Sequence, residues 1–380
     1  METTQPSAKP GRRPALVFGI IVLWLLGLGC LAALLGARPV GSVSALSGAD
    51  TADTFQRELT NRISPMLSEA IPTIKKTYRL SDSQLVAPEP DPQGYGVLES
   101  PSQLPGLLAQ AKGLLDGQST LLTEETELYT GAPIRYYLDE TILAMTWKQP
   151  VDGSVYTFGE VKIADASQFR RFLADGKYNS GQLYTTTEMA ASVNAVLASA
   201  GDYYGYRSIG IVVNEGKVYR GRGHYLDTCY IDANGDLLFT YAGDYTKESD
   251  VQAFVDENDI RFSLSFGPVM LLDGEYRVPD DYNSGEINSR YSRAALCQLG
   301  PLHYLVVTAN SEDPYYSVPQ VSQFAKNLQA MGISTAYALD GGQTATIAMD
   351  GQVINKVSYG SQRDISDIFY FATAIEKGDA

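Results

Sequence analysis

A carboxylate followed by two glycines and a hydroxyl forms the segment of this 380-residue sequence that is best suited to chemistry. Asp340 ends a run of small apolar residues, and Gly341-Gly342 permit positive φ and a close approach of a ligand to the backbone. Thr344 adds a hydroxyl, and Asp350-Gly351 then predicts a hairpin turn. A surface hairpin whose aspartate only caps a turn explains the same pattern, and the local sequence leaves both interpretations open.

A tyrosine-rich loop offers a second group of side chains for recognition. Asp202, Tyr203, Tyr204 and Arg207 fall within six residues. Aromatic rings present flat apolar faces to sugars, and arginine offers a two-pronged donor to phosphate. Tyrosine clusters are also ordinary packing material, so binding and packing are both consistent with this loop.

Arginines at a strand entrance and after the hairpin complete the set of candidates. Arg290 and Arg293 precede the apolar run of residues 294–296, where a fixed guanidinium can act as an anion clamp. Arg363 follows the hairpin, and Phe266-Gly267-Pro268 interrupts a strand-like run.

Several common chemistries are excluded by composition and spacing. His224 and His303 are the only histidines, and neither has a partner at metal-ligand spacing, so a zinc hydrolase is not expected. No G-x-S-x-G element is present, and Cys297 with His303 is better explained by two apolar strands than by a nucleophilic pair. The net charge of −15 disfavours nucleic acid as a partner. No cofactor is expected; a divalent cation is conceivable among the acids, although the spacing does not indicate one.

The elements that must hold these residues alternate between strands and tight turns, with few helices. Strands are predicted at residues 136–147, 155–163, 209–213, 217–220, 226–231, 237–241, 263–272, 294–296, 304–308 and 344–349. Helices are predicted near residues 107–115 and at 166–173, 187–198 and 318–331, the third capped by residues 185–187 and the last ending at Gly332. The sequence therefore predicts an α+β fold with mixed or antiparallel sheets.

An apolar N-terminal run predicts a membrane anchor. Residues 15–37 carry no charge and are long enough to cross a bilayer as a helix. Lys9, Arg12 and Arg13 precede the run, so the positive-inside rule leaves residues 1–14 in the cytoplasm and the C-terminal domain outside. A cleaved signal peptide is the main alternative, but the run is long for one and lacks a clean cleavage site. We expect an uncleaved, single-pass signal-anchor in the cell membrane.

The outer part of the chain divides into a stem with a linker, residues 38–126, and a domain, residues 127–380. Residues 52–76 have near-helical apolar spacing broken by Pro65 and Pro72, and residues 88–105 have linker composition. Cys229 and Cys297 lie in this domain in apolar runs, where a disulfide and two buried thiols are both open.

Five motifs in order resemble the phosphodiester glycosidase family, which includes the enzyme that removes N-acetylglucosamine from N-acetylglucosamine-1-phosphodiesters and many bacterial exopolysaccharide-associated relatives. They are NAVLASAGDYYGYR, GIVVNEGKVYR, LSFGPVMLLDG, RAALC and LDGGQTAT with its trailing GSQR, and they lie within residues 136–371. Two positions depart from the family pattern: Ala200 stands where Asn is usual, and Cys297 stands where Gly is usual.

The resemblance implies hydrolysis of a sugar-1-phosphodiester. It implies that Asp202, Arg293, Asp340, Gly341, Gly342 and Thr344 line the active site, with Arg363 a further candidate. We expect Arg293 and Arg207 to hold the phosphate, Asp340 and Asp202 to act at the anomeric carbon, and the glycines to donate backbone N–H groups.

Two rival functions belong to other classes. The first is a non-catalytic envelope protein that binds a glycopolymer in the same cleft, which the departures at Ala200 and Cys297 favour. The second is a scaffold that works through the stem.

Overall fold

A computed structural model of the protein describes residues 78–81, 83–283, 286–312 and 316–376. The chain divides into two units between Lys75 and Lys76, and all described residues belong to the second. The predicted tail, membrane segment and broken helical stem lie outside the described residues. Every helix within the described ranges is too short or too polar to span a bilayer.

The described strands, in chain order, are β1 (Tyr95–Leu98), β2 (Ile134–Leu138), β3 (Ile142–Val151), β4 (Ser154–Ile163), β5 (Phe169–Leu173), β6 (Leu197–Ala200), β7 (Gly210–Asn214), β8 (Lys217–Arg222), β9 (Thr228–Asp232), β10 (Leu237–Thr240), β11 (Ile260–Ser265), β12 (Val269–Leu272), β13 (Glu275–Tyr276), β14 (Arg293–Gly300), β15 (His303–Asn310), β16 (Thr335–Leu339), β17 (Ile347–Met349), β18 (Gln352–Val353) and β19 (Asp367–Phe371). The α-helices are α1 (Leu104–Gln110), α2 (Lys112–Leu115), α3 (Thr186–Ser192), α4 (Glu248–Glu257) and α5 (Val321–Ala330).

These strands form three antiparallel sheets, which confirms the α+β prediction. The large sheet has the order β1-β2-β3-β4-β15-β14-β16-β12-β13. The two smaller sheets have the orders β10-β9-β11-β7-β8 and β18-β17-β6-β19-β5. The hairpin predicted at Asp350-Gly351 is present, since it joins the paired strands β17 and β18.

The large sheet is buried on both faces, and successive residues of β14 show why. Ala295 and Cys297 pack in one hydrophobic cluster with α1, α2 and α5, whereas Ala294 and Leu296 pack in another with strands of the two smaller sheets. Strands that are covered on both sides have nearly continuous apolar sequences, as β14 and β15 do. Cys229 lies in the second cluster, so the two buried cysteines are free thiols in separate parts of the core.

Two predicted strands are interrupted. Residues 136–147 form β2 and β3, because Asp139 accepts hydrogen bonds from the backbone N–H groups of Thr141 and Ile142 at 2.6 and 3.0 Å and fixes a turn between them. Residues 263–272 contribute to β11 and β12, which are separated by Phe266-Gly267-Pro268.

The helix predicted at residues 166–173 is wrong. Asp165 caps a single 3-10 turn, Ala166–Gln168, and the chain then enters β5, which pairs with β19. The helix predicted at 187–198 stops early as α3, with Thr185 as its N-cap as expected, and its apolar end becomes β6.

The remaining differences concern boundaries. The helix predicted at residues 318–331 is α5, followed by Gly332 at a φ of +83°. The predicted second strand of the hairpin, residues 344–349, shortens to β17 because residues 342–344 form a 3-10 turn. Within the linker-like residues 88–105, β1 pairs with β2 at the edge of the large sheet.

Candidate active site

Two adjacent strands of the large sheet bring the predicted arginine and carboxylate together. Arg293 opens β14, and Asp340 directly follows β16. The two strands are paired with Ala294 opposite Leu339, so Arg293 and Asp340 occupy the next positions beyond that pair. The register of β14 and β16 therefore places Arg293 beside Asp340, in agreement with the prediction that both line one site.

The two glycines shape the turn in different ways. A β-carbon at Gly341 would lie 2.2 Å from the carbonyl oxygen of Ser292, so only glycine fits there. Gly342 has a φ of +63° and donates its N–H to that same oxygen at 2.9 Å. The Gly341 N–H donates to Oδ1 of Asp340 at 3.0 Å. Both N–H groups are thus bonded to oxygens of the protein itself, where the sequence predicted donation to a ligand.

The two oxygens of Asp340 have different surroundings. Oδ1 accepts the Gly341 N–H, whereas Oδ2 is buried and has no hydrogen-bond partner among the described residues. Nη1 of Arg363 lies 3.7 Å from Oδ2. Burial raises the pKa of Asp340 above its ordinary value, against the opposing effects of Thr344, Arg363 and the Gly341 N–H. Oδ2 is therefore the carboxylate oxygen with capacity for a new interaction.

Asp340 lines a cavity of about 460 Å³. Of the predicted site residues, the cavity wall includes Tyr203, Arg207, Arg293, Asp340, Gly341, Gly342 and Arg363. Asp202, Tyr204 and Thr344 lie outside this wall. The structure thus brings together most of the predicted residues, drawn from four separate segments.

Three arginines give the cavity its positive charge. Arg207 donates from Nη2 to Asp202, while its buried Nε and Nη1 have no hydrogen-bond partner among the described residues. Arg363 lies over the ring of Tyr203 at 5.6 Å. Desolvation lowers the pKa of Arg293 to about 10, so the group stays charged at neutral pH.

Arg293 also organises the cavity wall. Its Nη2 donates to the carbonyl oxygen of Glu286 at 3.1 Å and to that of Ser289, and Nε donates to that of Pro319 at 3.3 Å. Carbonyl oxygens of two segments thus converge on one guanidinium. Arg293 therefore combines a structural role with its charge.

Asp202, predicted to be catalytic, lies behind the cavity wall. It is 3 % exposed, and its Oδ1 accepts a hydrogen bond from Arg207. Its Oδ2 accepts the Ser265 N–H at 3.1 Å. The geometry therefore gives Asp202 no open path to a ligand in the cavity.

Tyr204 and Thr344 also make internal contacts. Tyr204 stacks on Tyr178 with ring centroids 5.3 Å apart and is buried. The Thr344 hydroxyl donates to the carbonyl oxygen of Gly341 at 2.6 Å and closes the turn.

Sequence reasoning missed several wall residues: Ile209, Glu286, Tyr291, Gln343 and Tyr359. Tyr291 and Tyr359 lie inside segments that carry other candidates, so their proximity was a usable signal. Glu286 had no signal, because it lies in a loop without a motif. The departures at Ala200 and Cys297 are buried strand residues outside the cavity wall.

Within the described residues, no group of three His, Cys, Asp or Glu side chains could hold a metal ion. The expectation that no metal is needed stays a prediction.

All the residues of this cavity wall fall between Tyr203 and Arg363, and this range lies inside a stretch with a recognisable sequence profile. Residues 187–372 match the sequence model of the phosphodiester glycosidase family. The resemblance inferred from the five motifs is thereby confirmed over most of its length.

A solved structure resembles the fold. The catalytic domain of zebrafish N-acetylglucosamine-1-phosphodiester alpha-N-acetylglucosaminidase, auto-inhibited by its pro-peptide, aligns with a TM-score of 0.51 and 15 % identity, over 68 % of this chain and 92 % of that chain. A hypothetical protein from Synechocystis aligns with a TM-score of 0.44 and 14 % identity, over 65 % of each chain. No curated protein sequence matches the chain significantly.

Proposed function

We propose that the protein is a glycosidase that hydrolyses a sugar-1-phosphodiester at the anomeric carbon. Water adds to that carbon, the bond from the anomeric carbon to the phosphate oxygen breaks, and a free sugar and a phosphomonoester leave. One observation carries the proposal: Oδ2 of Asp340, which accepts no hydrogen bond from any described residue, lies beside arginines in a cavity built from the residues that match the family.

The cavity suits a phosphate leaving group. A phosphate ester oxygen is a weak base, so its departure needs less proton transfer than that of an ordinary sugar alkoxide. Fixed positive charge stabilises the departing phosphate instead. Arg207 is the strongest candidate for binding the phosphate, because the N–H groups of its Nε and Nη1 make no hydrogen bond to any described residue. Arg293 and Arg363 add positive charge to the same cavity wall.

Asp340 is the residue that we assign to the anomeric carbon. An ionised carboxylate can attack this carbon directly, or it can activate the attacking water. Both roles require the ionised carboxylate, which forms as the pH rises through the pKa of Asp340. Burial raises that pKa above its ordinary value. We therefore expect the rate to have an acid limb that Asp340 controls.

A matched pair of variants tests the assignment. The substrate is N-acetylglucosamine-1-phosphomethyl ester, and the readout is free reducing sugar. Loss of an essential carboxylate should lower kcat in Asp340→Asn by about 1,000-fold or more. Asp364→Asn changes an exposed carboxylate outside the cavity and serves as the control.

Each outcome separates the candidate functions. Full turnover by Asp340→Asn would refute the catalytic assignment. Tight binding of phosphodiester-linked glycans without turnover by the unaltered chain would favour the rival function of a glycopolymer-binding protein.

The cellular setting is part of the proposal. The apolar run of residues 15–37 supports a single-pass anchor with the glycosidase domain outside the cytoplasm, and bacterial envelope polysaccharide metabolism then supplies a phosphodiester-linked substrate. Extraction of the full chain with alkaline carbonate tests this setting: an anchored chain stays in the membrane pellet, whereas release into the supernatant would contradict it.

A further inference from the structure

The second predicted catalytic carboxylate has a different task, and this inference rests on the proposed function. We propose that Asp202 is a positioning residue: it holds the Arg207 guanidinium so that Nε and Nη1 of that arginine, which make no hydrogen bond to any described residue, bind the substrate phosphate.

Both oxygens of the Asp202 carboxylate are engaged and buried away from the cavity. Arg207 donates to Oδ1, the Ser265 N–H donates to Oδ2 at 3.1 Å, and the side chain is fully buried. A general acid or base must come within hydrogen-bond reach of its proton. Among the described residues, Arg207 is the side chain that joins the Asp202 carboxylate to the cavity wall.

A buried charge network fixes Asp202 from behind. Its own N–H donates to both carboxylate oxygens of Asp367, at 3.1 and 3.0 Å, and Nε of Arg171 donates to Asp367 at 2.7 Å. Nη2 of Arg171 lies 3.9 Å from Oδ2 of Asp202. Arg171 in turn donates from Nη1 to the carbonyl oxygens of Val213 and Ser263. The position of Asp202 is thus set by residues of four strands, β5, β7, β11 and β19, and not by a loop.

Arg207 is held on two further sides. Its guanidinium lies over the ring of Phe266 at 5.6 Å. Its carbonyl oxygen accepts a hydrogen bond at 2.6 Å from Arg220, a half-buried cation whose own pKa is lowered by desolvation. Two buried nitrogens of Arg207, Nε and Nη1, have no hydrogen-bond partner among the described residues.

The charges point to an anion as the partner of those nitrogens. Among the described residues, Arg171 and Arg207 pair with two carboxylates, Asp202 and Asp367, and Arg220 adds a third positive charge next to Arg207, so positive charge is left over beside the cavity. Buried donors gain most from an ionised acceptor, and phosphate oxygens are the natural acceptors for arginine.

Binding and turnover test the proposal on the full chain. The probe is methyl phosphate, a product-like anion, with its dissociation constant measured by calorimetry and its inhibition constant measured during turnover. Arg207→Ala should weaken methyl phosphate by about 100-fold, and Asp202→Asn by about tenfold. Asp227→Asn is the control, since Asp227 is a similarly buried carboxylate that accepts two backbone N–H groups and touches no arginine in the described structure.

A double variant separates positioning from catalysis. If Asp202 acts through Arg207, Asp202→Asn adds less than about twofold to the loss in Arg207→Ala. A direct catalytic role predicts that Asp202→Asn lowers kcat, removes a limb of the pH profile and leaves the affinity for methyl phosphate unchanged. A purely structural role predicts the same loss of thermal stability as Asp227→Asn with unchanged affinity. Either of these results would overturn the proposal.

Three further outcomes are also informative. Should Asp202→Asn not fold, Arg207→Lys keeps the charge without the guanidinium, and wild-type affinity in that variant would overturn the proposal. If no phosphodiester is hydrolysed but methyl phosphate binding still couples Asp202 to Arg207, the proposed function fails and this inference stands. If turnover is normal and the coupling is absent, this inference alone fails.

Discussion

Replacing Gly341 by alanine should abolish most activity through a clash of one methyl group. The new β-carbon would lie 2.2 Å from the Ser292 carbonyl oxygen, about 1 Å inside an ordinary contact. Both partners are main-chain atoms, so neither can rotate away. Relief requires the segment from Asp340 to Gly342 to shift by about 1 Å relative to the start of β14.

The size of the effect follows from what moves. Asp340 and Arg293 lie on the two sides of this contact, and a misplacement of about 1 Å in a reacting pair costs about 100-fold in rate. The hydrogen bond from Gly342 to Ser292 should weaken as well, and forced packing of this kind costs about 1–3 kcal/mol of stability. We therefore expect kcat to fall about 100-fold, with a modest loss of thermal stability.

The neighbouring glycine supplies the control. Alanine at Gly342 meets no atom within 4 Å, and its only penalty is the positive φ of +63°, worth about 1–2 kcal/mol. The assay compares kcat for release of sugar from the phosphomethyl ester with the melting temperature of each variant. Comparable kcat values for Gly341→Ala and Gly342→Ala would refute the view that the contact with Ser292 positions Asp340.

Three further predictions concern buried charge and buried thiols. Burial raises the pKa of Asp340 above its unfolded value, so the parent chain loses stability as the pH rises through the folded pKa. The melting temperature of Asp340→Asn should therefore rise relative to that of the parent chain above about pH 4, and a pH-independent difference would contradict this. Arg171→Met removes the cation beside two buried carboxylates and should cost about 3–5 kcal/mol in urea unfolding, whereas a cost below about 1 kcal/mol would show that the pairing is dispensable. Burial raises the pKa of the thiols of Cys229 and Cys297, so in a chain whose third cysteine, Cys30, is replaced by serine, iodoacetamide should label neither thiol until the chain unfolds; rapid labelling of the native chain would show that the core opens.

Strand positions were largely predictable because the core of this protein is made of sheets. Apolar runs such as β14 and β15 are buried on both faces, and tight turns mark where they end. The turn at Asp139 was not predictable, since a single side chain breaks an otherwise strand-like run by binding two N–H groups.

Helix prediction failed where a cap and a sheet competed. Asp165 is a good helix cap, but only one 3-10 turn follows it, because Phe169–Leu173 gains more from pairing with β19 in the core than from continuing as a helix. The sequence around β5 does not show that it will pair with β19, which lies almost 200 residues away in the chain.

The candidate site was predictable as a set of residues but not as a set of roles. Asp340 and Arg293 follow from the ends of two apolar strands. Asp202 has the same appearance in the sequence, and only the packing of Arg171, Asp367 and Ser265 around it shows that it faces inward.

Because β14 pairs with β16, the geometry of the reacting centre and the shape of the cavity rim depend on different parts of the structure. The spacing of Arg293 and Asp340 depends on main-chain hydrogen bonds in the centre of the large sheet, which exchanges of side chain at the rim do not disturb. Tyr291 and Tyr359, by contrast, are 41 % and 89 % exposed at the edge of the same cavity. New specificity can therefore be sought by varying these two rim positions while the reacting centre keeps its geometry.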